Sequence, residues 1–460
     1  MKTGTSLALL ALVAGCATTA GRHRPLAAGE GRVLVYLDPL PASAEQLAIR
    51  IESIEVVAAD GTAVPLDLLV SELRHEPTPR QRLLAAGSLP PGSYGVLLVK
   101  IRRATPAAEP RPAELASEAV RVAVSLAVSP QRAAVVTLAL DPVRSGEREV
   151  AFTAAVPGPA VAPLLGYCAS TAWDEVVVFD KNTRRVVGAI PVGHGPQGIA
   201  FDPRLPRAYV ALSGEDRIAV VDVDAGEVVG RIPLRAGDQP REVAVTPDGR
   251  LLVVVNAGSN TASFLDPSST AELGRVDTGD EPGALLLEPG GRRAYVLNRG
   301  SGSITILDLA NRAVAATLGT DARPLAARTN VAGTRLYVIH EGSASLSVFS
   351  LPDLQLLRKV HVGLGASALA VSARGDLVYV GRRDSERLQI FDPLSFFPVS
   401  SLGLAAPASY LLVDDSQNVA FALEPERRAV EAVDLVSGRS LGGFEVGEDP
   451  FRVALASDRR

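Results

Sequence analysis

Cysteine occurs only twice in 460 residues, histidine five times and tryptophan once. Cys16 and Cys168 form no metal-binding pair, and none of His23, His75, His194, His340 and His361 stands at ligand spacing from another, which argues against zinc. No Gly-x-Ser-x-Gly elbow, phosphate-cradling glycine loop or dinucleotide fingerprint occurs in a strand–helix context. Positive charge is short as well. The net charge of −5 leaves no clustered basic face of the kind that neutralises phosphates, so no nucleic-acid partner is expected. The apolar run Leu7–Val13 is too short for a permanent bilayer span. Apolar residues at helical three-and-four spacing are missing from the repeating part of the chain.

What is present is a repeat, clearest in Gln197–Asp222. Short apolar runs (Arg207-Ala-Tyr-Val-Ala211, Arg217-Ile-Ala-Val-Val-Asp222) are split by Gly, Pro and Asp, the pattern of strands joined by tight turns. Acidic strand ends fall at Asp180, Asp222, Asp266, Asp308, Asp392 and Asp434, with Ser350 in the one empty slot, in steps of 42, 44, 42, 42, 42 and 42 residues. An aromatic ladder keeps the same beat at Tyr167, Tyr209, Tyr295, Tyr337, Tyr379 and Phe421, with Val253 at the odd position. Four strands per unit at this period predict a β-propeller.

The units resemble the propeller repeat family named for Tyr-Val-Thr-Asn, to which Tyr295-Val-Leu-Asn298 comes nearest; Thr is absent from every copy. The resemblance covers about the last two-thirds of the chain and implies a fold, not an activity. The first unit begins at Leu164 without its innermost strand, and Asp449–Ala456 reads as that strand. The expected architecture is therefore all-β: an N-terminal β-sandwich over 31–155, a linker at 156–163, and a seven-bladed β-propeller over 164–460 closed by the C-terminal strand.

Residues 1–16 carry a positive start, an apolar run and Val13-Ala-Gly-Cys16, which resembles a bacterial lipobox. That resemblance implies a signal peptide, acylation of Cys16, and a lipid anchor in the bacterial cell envelope. Ala17, rather than Asp, after the cysteine implies the outer membrane. Residues 17–30 read as a tether. In the domain that follows, strands are expected at Arg32–Leu37, Leu47–Val57 with a bulge near Ser53, Ala63–Leu69, Val96–Ile101, Val120–Val128 and Ala134–Leu140. Ala104–Ala119 reads as a loop. The Leu-Pro-Pro-Gly-Ser-Tyr entry at 89–94 resembles sandwich domains of unknown function in envelope proteins.

The periodic aspartates Asp180, Asp222, Asp266, Asp308, Asp392 and Asp434 suit turn-capping, because repetition around a ring is a structural signature while chemistry needs one asymmetric constellation. Asymmetry lies in two loop sets on one propeller face. His194, Gln197, Arg241, Asn256, Asn298, His340, Arg382 and Glu424 are the candidate ligand-binding residues there. Trp173, in the loop after the first Tyr-type strand, is a candidate rim contact, although a lone Trp in a turn more often packs on its neighbours, and Cys168 is a small core residue. No catalytic residue and no cofactor is assigned. Asn256, Asn298 and Glu424 are of the type a divalent cation takes in a channel, though nothing in their spacing calls for one. The function expected is a non-catalytic scaffold binding a protein or envelope polymer; the alternative is a lactonase or metal-assisted hydrolase at the channel mouth using Asn256, Asn298, His340 and Glu424.

Overall fold

The computed structural model describes residues 26–44, 47–106, 119–142, 145, 150–158 and 161–456. Cys16, the apolar run before it and the first part of the tether lie outside the described residues, as does most of the loop expected at 104–119.

The N-terminal region is built from β1 (Gly31–Leu37), β2 (Leu47–Ala58), β3 (Ala63–Leu68), β4 (Glu72–Leu73), β5 (Arg80–Leu89), β6 (Gly92–Pro106), β7 (Ala119–Val128), β8 (Ala133–Leu140) and β9 (Phe152–Ala155). β1 lies between β5, antiparallel, and β8, parallel, and β9 pairs with β8. β2 pairs with β3, β4 and β6, β6 carries β7, and β3 also joins β5, linking the two strand groups. The register of β2 slips on either side of Ile51, at the bulge expected near Ser53. β5 was not expected, and β6 runs further than expected, to Pro106.

β1 is buried along its whole length, and its alternation feeds two cores. Val33, Val35 and Leu37 pack with Ile49, Ile54, Leu97, Val99 and Val136 inside the N-terminal region. Leu34 and Tyr36 point the other way, into a cluster shared with the repeats.

The repeats form a β-propeller. Strands β10 (Leu165–Ser170), β11 (Glu175–Asp180) and β12 (Arg185–Pro191) make one sheet with Pro450–Leu455, which pairs with β10 from Gly166↔Leu455 to Ser170↔Pro450. Five further four-stranded antiparallel sheets begin at Pro196, Pro240, Pro282, Pro324 and Ala366. Tyr410–Asp414, Val419–Glu424, Ala429–Asp434 and Ser440–Glu445 pair in the same order, but Gly443 and Phe444 also pair in parallel with Arg80 and Gln81 of β5, so these strands continue into the N-terminal sheet. Innermost strands touch in sequence from Pro196–Phe201 round to Tyr410–Asp414, then Pro450–Leu455, which touches Pro196–Phe201 again.

Both ladders have a physical reason. Each aromatic packs against the innermost strand of the next sheet: Tyr167 edge-on to Phe201 with ring centroids 5.1 Å apart, Tyr209 beside Val243, Tyr295 beside Ala327, Tyr337 beside Leu369 and Tyr379 beside Leu411. The aspartates close turns. Asp180 Oδ1 accepts from the amides of Asn182 and Thr183, and Asp222, Asp266, Asp308, Asp392 and Asp434 accept from amides two or three residues on. The hydroxyl and amide of Ser268, with Ser269, hold the Asp266 carboxyl down at about 2.

The N-terminal strands and the propeller share one core where Leu34, Tyr36, Leu83 and Val135 meet Phe179, Phe421, Phe444, Val453 and Leu455. Polar groups at this junction are paired across it. Arg32 donates to the Trp173 carbonyl at 3.0 Å and lies 3.6 Å from buried Glu175. The Val186 amide donates to Gln81 Oε1 and the Leu83 amide to Glu445 Oε2. Burial pushes Glu175 up to about 7 against the pull of Arg32. Trp173 is 4% exposed inside this cluster, so of its two readings it takes the packed one and not the rim contact, because its short 3₁₀ turn folds under the junction.

Candidate functional site: the arginine-lined channel mouth

The sequence candidates divide into two groups. Asn256, Asn298, His340 and Glu424 each end the second strand of a sheet, and all are fully buried. Asn256 donates to Thr261 and Ser263 at 3.0 and 2.9 Å, and Asn298 repeats the arrangement on Ser303 and Thr305. His340 is held between Thr320 and the Ser345 carbonyl, and burial lowers its pKa. Glu424 accepts from the Ala406 amide and from Arg427. Burial, then the neighbouring buried Glu431, push its carboxyl up. No hydrogen bond joins any two of the four; the bonds they make stay within their own sheets or the loops leading to them, while Asn256 Oδ1 and Asn298 Oδ1 are buried without a hydrogen-bond partner. The strand-end position is therefore a structural socket with four chemical solutions. The Cys168 thiol is buried in the core, and burial pushes its pKa up.

The other candidates are more open. His194 Nδ1 lies 2.7 Å from Asp174 Oδ2, with its ring half exposed. Arg382 Nε is 3.2 Å from Asp384. Gln197 and Arg241 occupy the same slot, one residue after the proline that opens an innermost strand, and Gln197 Oε1 and Arg241 Nε are buried without a hydrogen-bond partner.

Arg241 leads to the feature that sequence reasoning missed. A cavity of about 310 Å³ opens at the end of the channel, lined by Arg241, Arg299, Arg328, Arg383 and Arg452 with Phe451 and Tyr410. Glu242 pairs with Arg452, and Glu341 with Arg299, Arg323 and Arg383, at 2.5, 2.9 and 2.7 Å respectively. Arg241 lies over the Phe451 ring at 5.2 Å; Arg328 and Arg452 each lie 5.5 Å from the Tyr410 centroid. That Tyr410 layer is the neck of the channel. Beyond it a second chamber of about 320 Å³ is walled by Ile199, Phe201, Val245, Leu287 and Leu412. Arg328, Arg452 and Tyr410 line this second chamber too, so the two chambers share cationic groups.

These arginines come from five different sheets, so no local spacing marks them. A register signal exists all the same: Gln197, Arg241, Gly283, Leu325, Ser367 and Phe451 share one slot of the innermost strand, and Glu242, Tyr410 and Arg452 the next. Among the described residues, no group of three or more His, Cys, Asp or Glu is placed to hold a metal ion.

Fold and mouth together define an all-β protein with a propeller whose channel entrance is the size of a small-molecule pocket. No protein-family model matches the chain, and no curated protein does. Solved structures do. Hydrazine synthase of Kuenenia stuttgartiensis superposes with a TM-score of 0.55 at 16% identity, covering 61% of this chain and 94% of that one. Dihydro-heme d1 dehydrogenase NirN, in complex with DHE, gives 0.51 at 15% identity over 66% of this chain and 78% of its own. A protein of unknown function from Desulfotomaculum acetoxidans gives 0.56 at 15% identity over 63% of this chain and 98% of its own. At such identities the likeness is one of fold.

Proposed function

We propose that this chain is an envelope lipoprotein, anchored through Cys16, whose propeller binds a protein or envelope polymer at the arginine-lined channel mouth without catalysing a reaction. In this reading Tyr410–Glu445 is a seventh blade and Pro450–Leu455 the strand that closes the ring, since innermost strands touch in one unbroken cycle. The N-terminal sheet is the rigid stand between anchor and propeller, as the shared core suggests. The observation that carries the proposal is the mouth itself: five arginines line it, while Glu242 and Glu341 beside it are already engaged and Asp449 is the one other carboxylate among the lining residues. The hydrolase alternative asked Asn256, Asn298, His340 and Glu424 to meet in the channel, and their burial within separate sheets lends it no support.

The test is capture from intact envelopes by crosslinking. Wild type is compared with Arg328→Ala and Arg383→Ala, which strip charge from the neck and the rim. The proposal requires one crosslinked species to be lost in both variants. An unchanged pattern in both would remove the mouth as the contact surface.

A further inference from the structure

Three features of the upper chamber point to one kind of ligand. Arg241 and Arg299 reach it from neighbouring sheets, and the Nε of each is buried with no hydrogen-bond partner. Both side chains cross Gly283: a Cβ there would stand 2.8 Å from Arg299 Cδ and 3.8 Å from Arg241 Nε. Gly283 has an ordinary negative-φ backbone, so its missing side chain serves the space above it. Finally, two of the three nearby carboxylates are engaged, and the third, Asp449 on the lining, is exposed. Glu242 is taken by Arg452, Glu341 is divided among three arginines, and among the described residues no carboxylate forms an ion pair with Arg241.

Arg299 keeps its pair with Glu341 while Arg241 has no carboxylate partner, so an acceptor reaching both guanidinium groups would use their idle Nε donors and offset the charge of Arg241. Burial, then the charge of Arg299, lowers the Arg241 pKa, the direction such crowding dictates. We propose that the upper chamber is a binding site for a compact oxyanion, a phosphoryl or carboxylate group, held between Arg241 and Arg299 over Gly283. Guanidinium forks match the oxygen spacing of both groups. The chamber of about 310 Å³ admits one such group with a small substituent. Phe451, already stacked on Arg241, forms an apolar side for that substituent. The inference rests on the channel mouth being the binding face and adds the chemistry it recognises.

The experiment is isothermal titration of the full-length protein with inorganic phosphate, pyrophosphate and succinate at constant ionic strength, with chloride as the reference anion. At least one probe is expected to bind saturably, and Arg241→Gln and Arg299→Gln each to weaken it at least tenfold. Arg241→Lys keeps the charge but loses the fork, and is expected to weaken binding about fivefold. Gly283→Ala is expected to weaken it by displacing Arg299. Without ligand, Arg241→Gln should melt no lower than wild type, because a repulsion has been removed; that separates a recognition role from a structural one. No saturable binding by wild type, or equal binding by wild type and Arg241→Gln, overturns the proposal. Should these probes fail while envelope crosslinking still depends on Arg328 and Arg383, the mouth remains the contact surface and the oxyanion chemistry falls alone. Free phosphate and succinate competing with the crosslinked species would place the same anion on the partner; binding without competition would mark a separate small-molecule ligand.

Discussion

Phe179→Ala tests whether the N-terminal sheet and the propeller form one cooperative body. Phe179 is fully buried on β11, with its ring 5.6 Å from that of Phe421 and 4.5 Å from that of Phe444. Its cluster also takes in Leu34, Tyr36 and Leu83 of the N-terminal strands and Val453 and Leu455 of the last strand. Truncating a buried Phe costs about 3–5 kcal/mol, set by how far the walls can collapse. Collapse is restricted here: the ring occupies space left by Gly166, which has no side chain to move in. Two tilted aromatic pairs contribute about 0.5–1.5 kcal/mol each beyond area burial, so about 5 kcal/mol is expected in total. At about 1 °C per kcal/mol for a single cooperative body of this size, the unfolding midpoint should fall by about 5 °C. Two signals read the outcome. Trp173 is the sole tryptophan and belongs to the same cluster, so its fluorescence reports the junction, while far-ultraviolet dichroism reports all strands. Both should move together in a single transition. A fluorescence transition that shifts while the dichroism transition stays would show that the junction opens locally, and a shift under about 2 °C would refute the cavity argument.

Further perturbations test other parts of the account. Asp238→Ala removes the acceptor of the Arg275 fork, whose bonds are 2.6 and 2.7 Å, in the loop lengthened before Pro240; a loss of about 2–4 kcal/mol by urea unfolding is expected, and no loss would mean that solvent replaces the pair. Stability should fall as pH rises from about 4.5 to 7, because Glu175 has a raised folded-state pKa of about 7 and so holds a proton in that window that the unfolded chain has released; Glu424 acts in the same direction. Glu424→Gln should accordingly gain in melting temperature over wild type at pH 8 but not at pH 5, and parallel pH curves would count against a raised Glu424 carboxyl. Cys16→Ser should move the protein from the membrane fraction to the soluble fraction of cells; continued sedimentation with membranes would end the lipid-anchor proposal.

Some of this molecule was written locally, and that part was legible. Asp222 binds amides two and three residues away, so its turn needs nothing from the rest of the chain. The aromatic ladder and the apolar runs follow from each sheet stacking on the next in sequence order, which makes the period visible. β5 was invisible for the opposite reason. Its Arg-Gln-Arg-Leu-Leu-Ala-Ala-Gly run has neither β-branched residues nor alternation, and it is a strand because β1, β3 and Ser440–Glu445 cover it. Sequence left Trp173 open between a rim contact and a packed turn residue, and the junction decided for packing.

The same division runs through the site. Asn256, Asn298, His340 and Glu424 stood out because a polar residue recurs at one strand end, yet recurrence said nothing about which way that end faced. Arg299 and Arg383 share a repeat slot with Glu341 between them, in steps of 42 residues, but Arg328 and Arg452 stand in other slots, so the period alone does not gather the four. Sequence alone determined that strands of one length would repeat and where their turns would fall, since backbone hydrogen bonding and side-chain alternation act over a few residues. Tertiary structure alone decided which arginines share a chamber and which polar side chains are sealed away, since charge proximity and burial belong to the closed ring and to no segment of it.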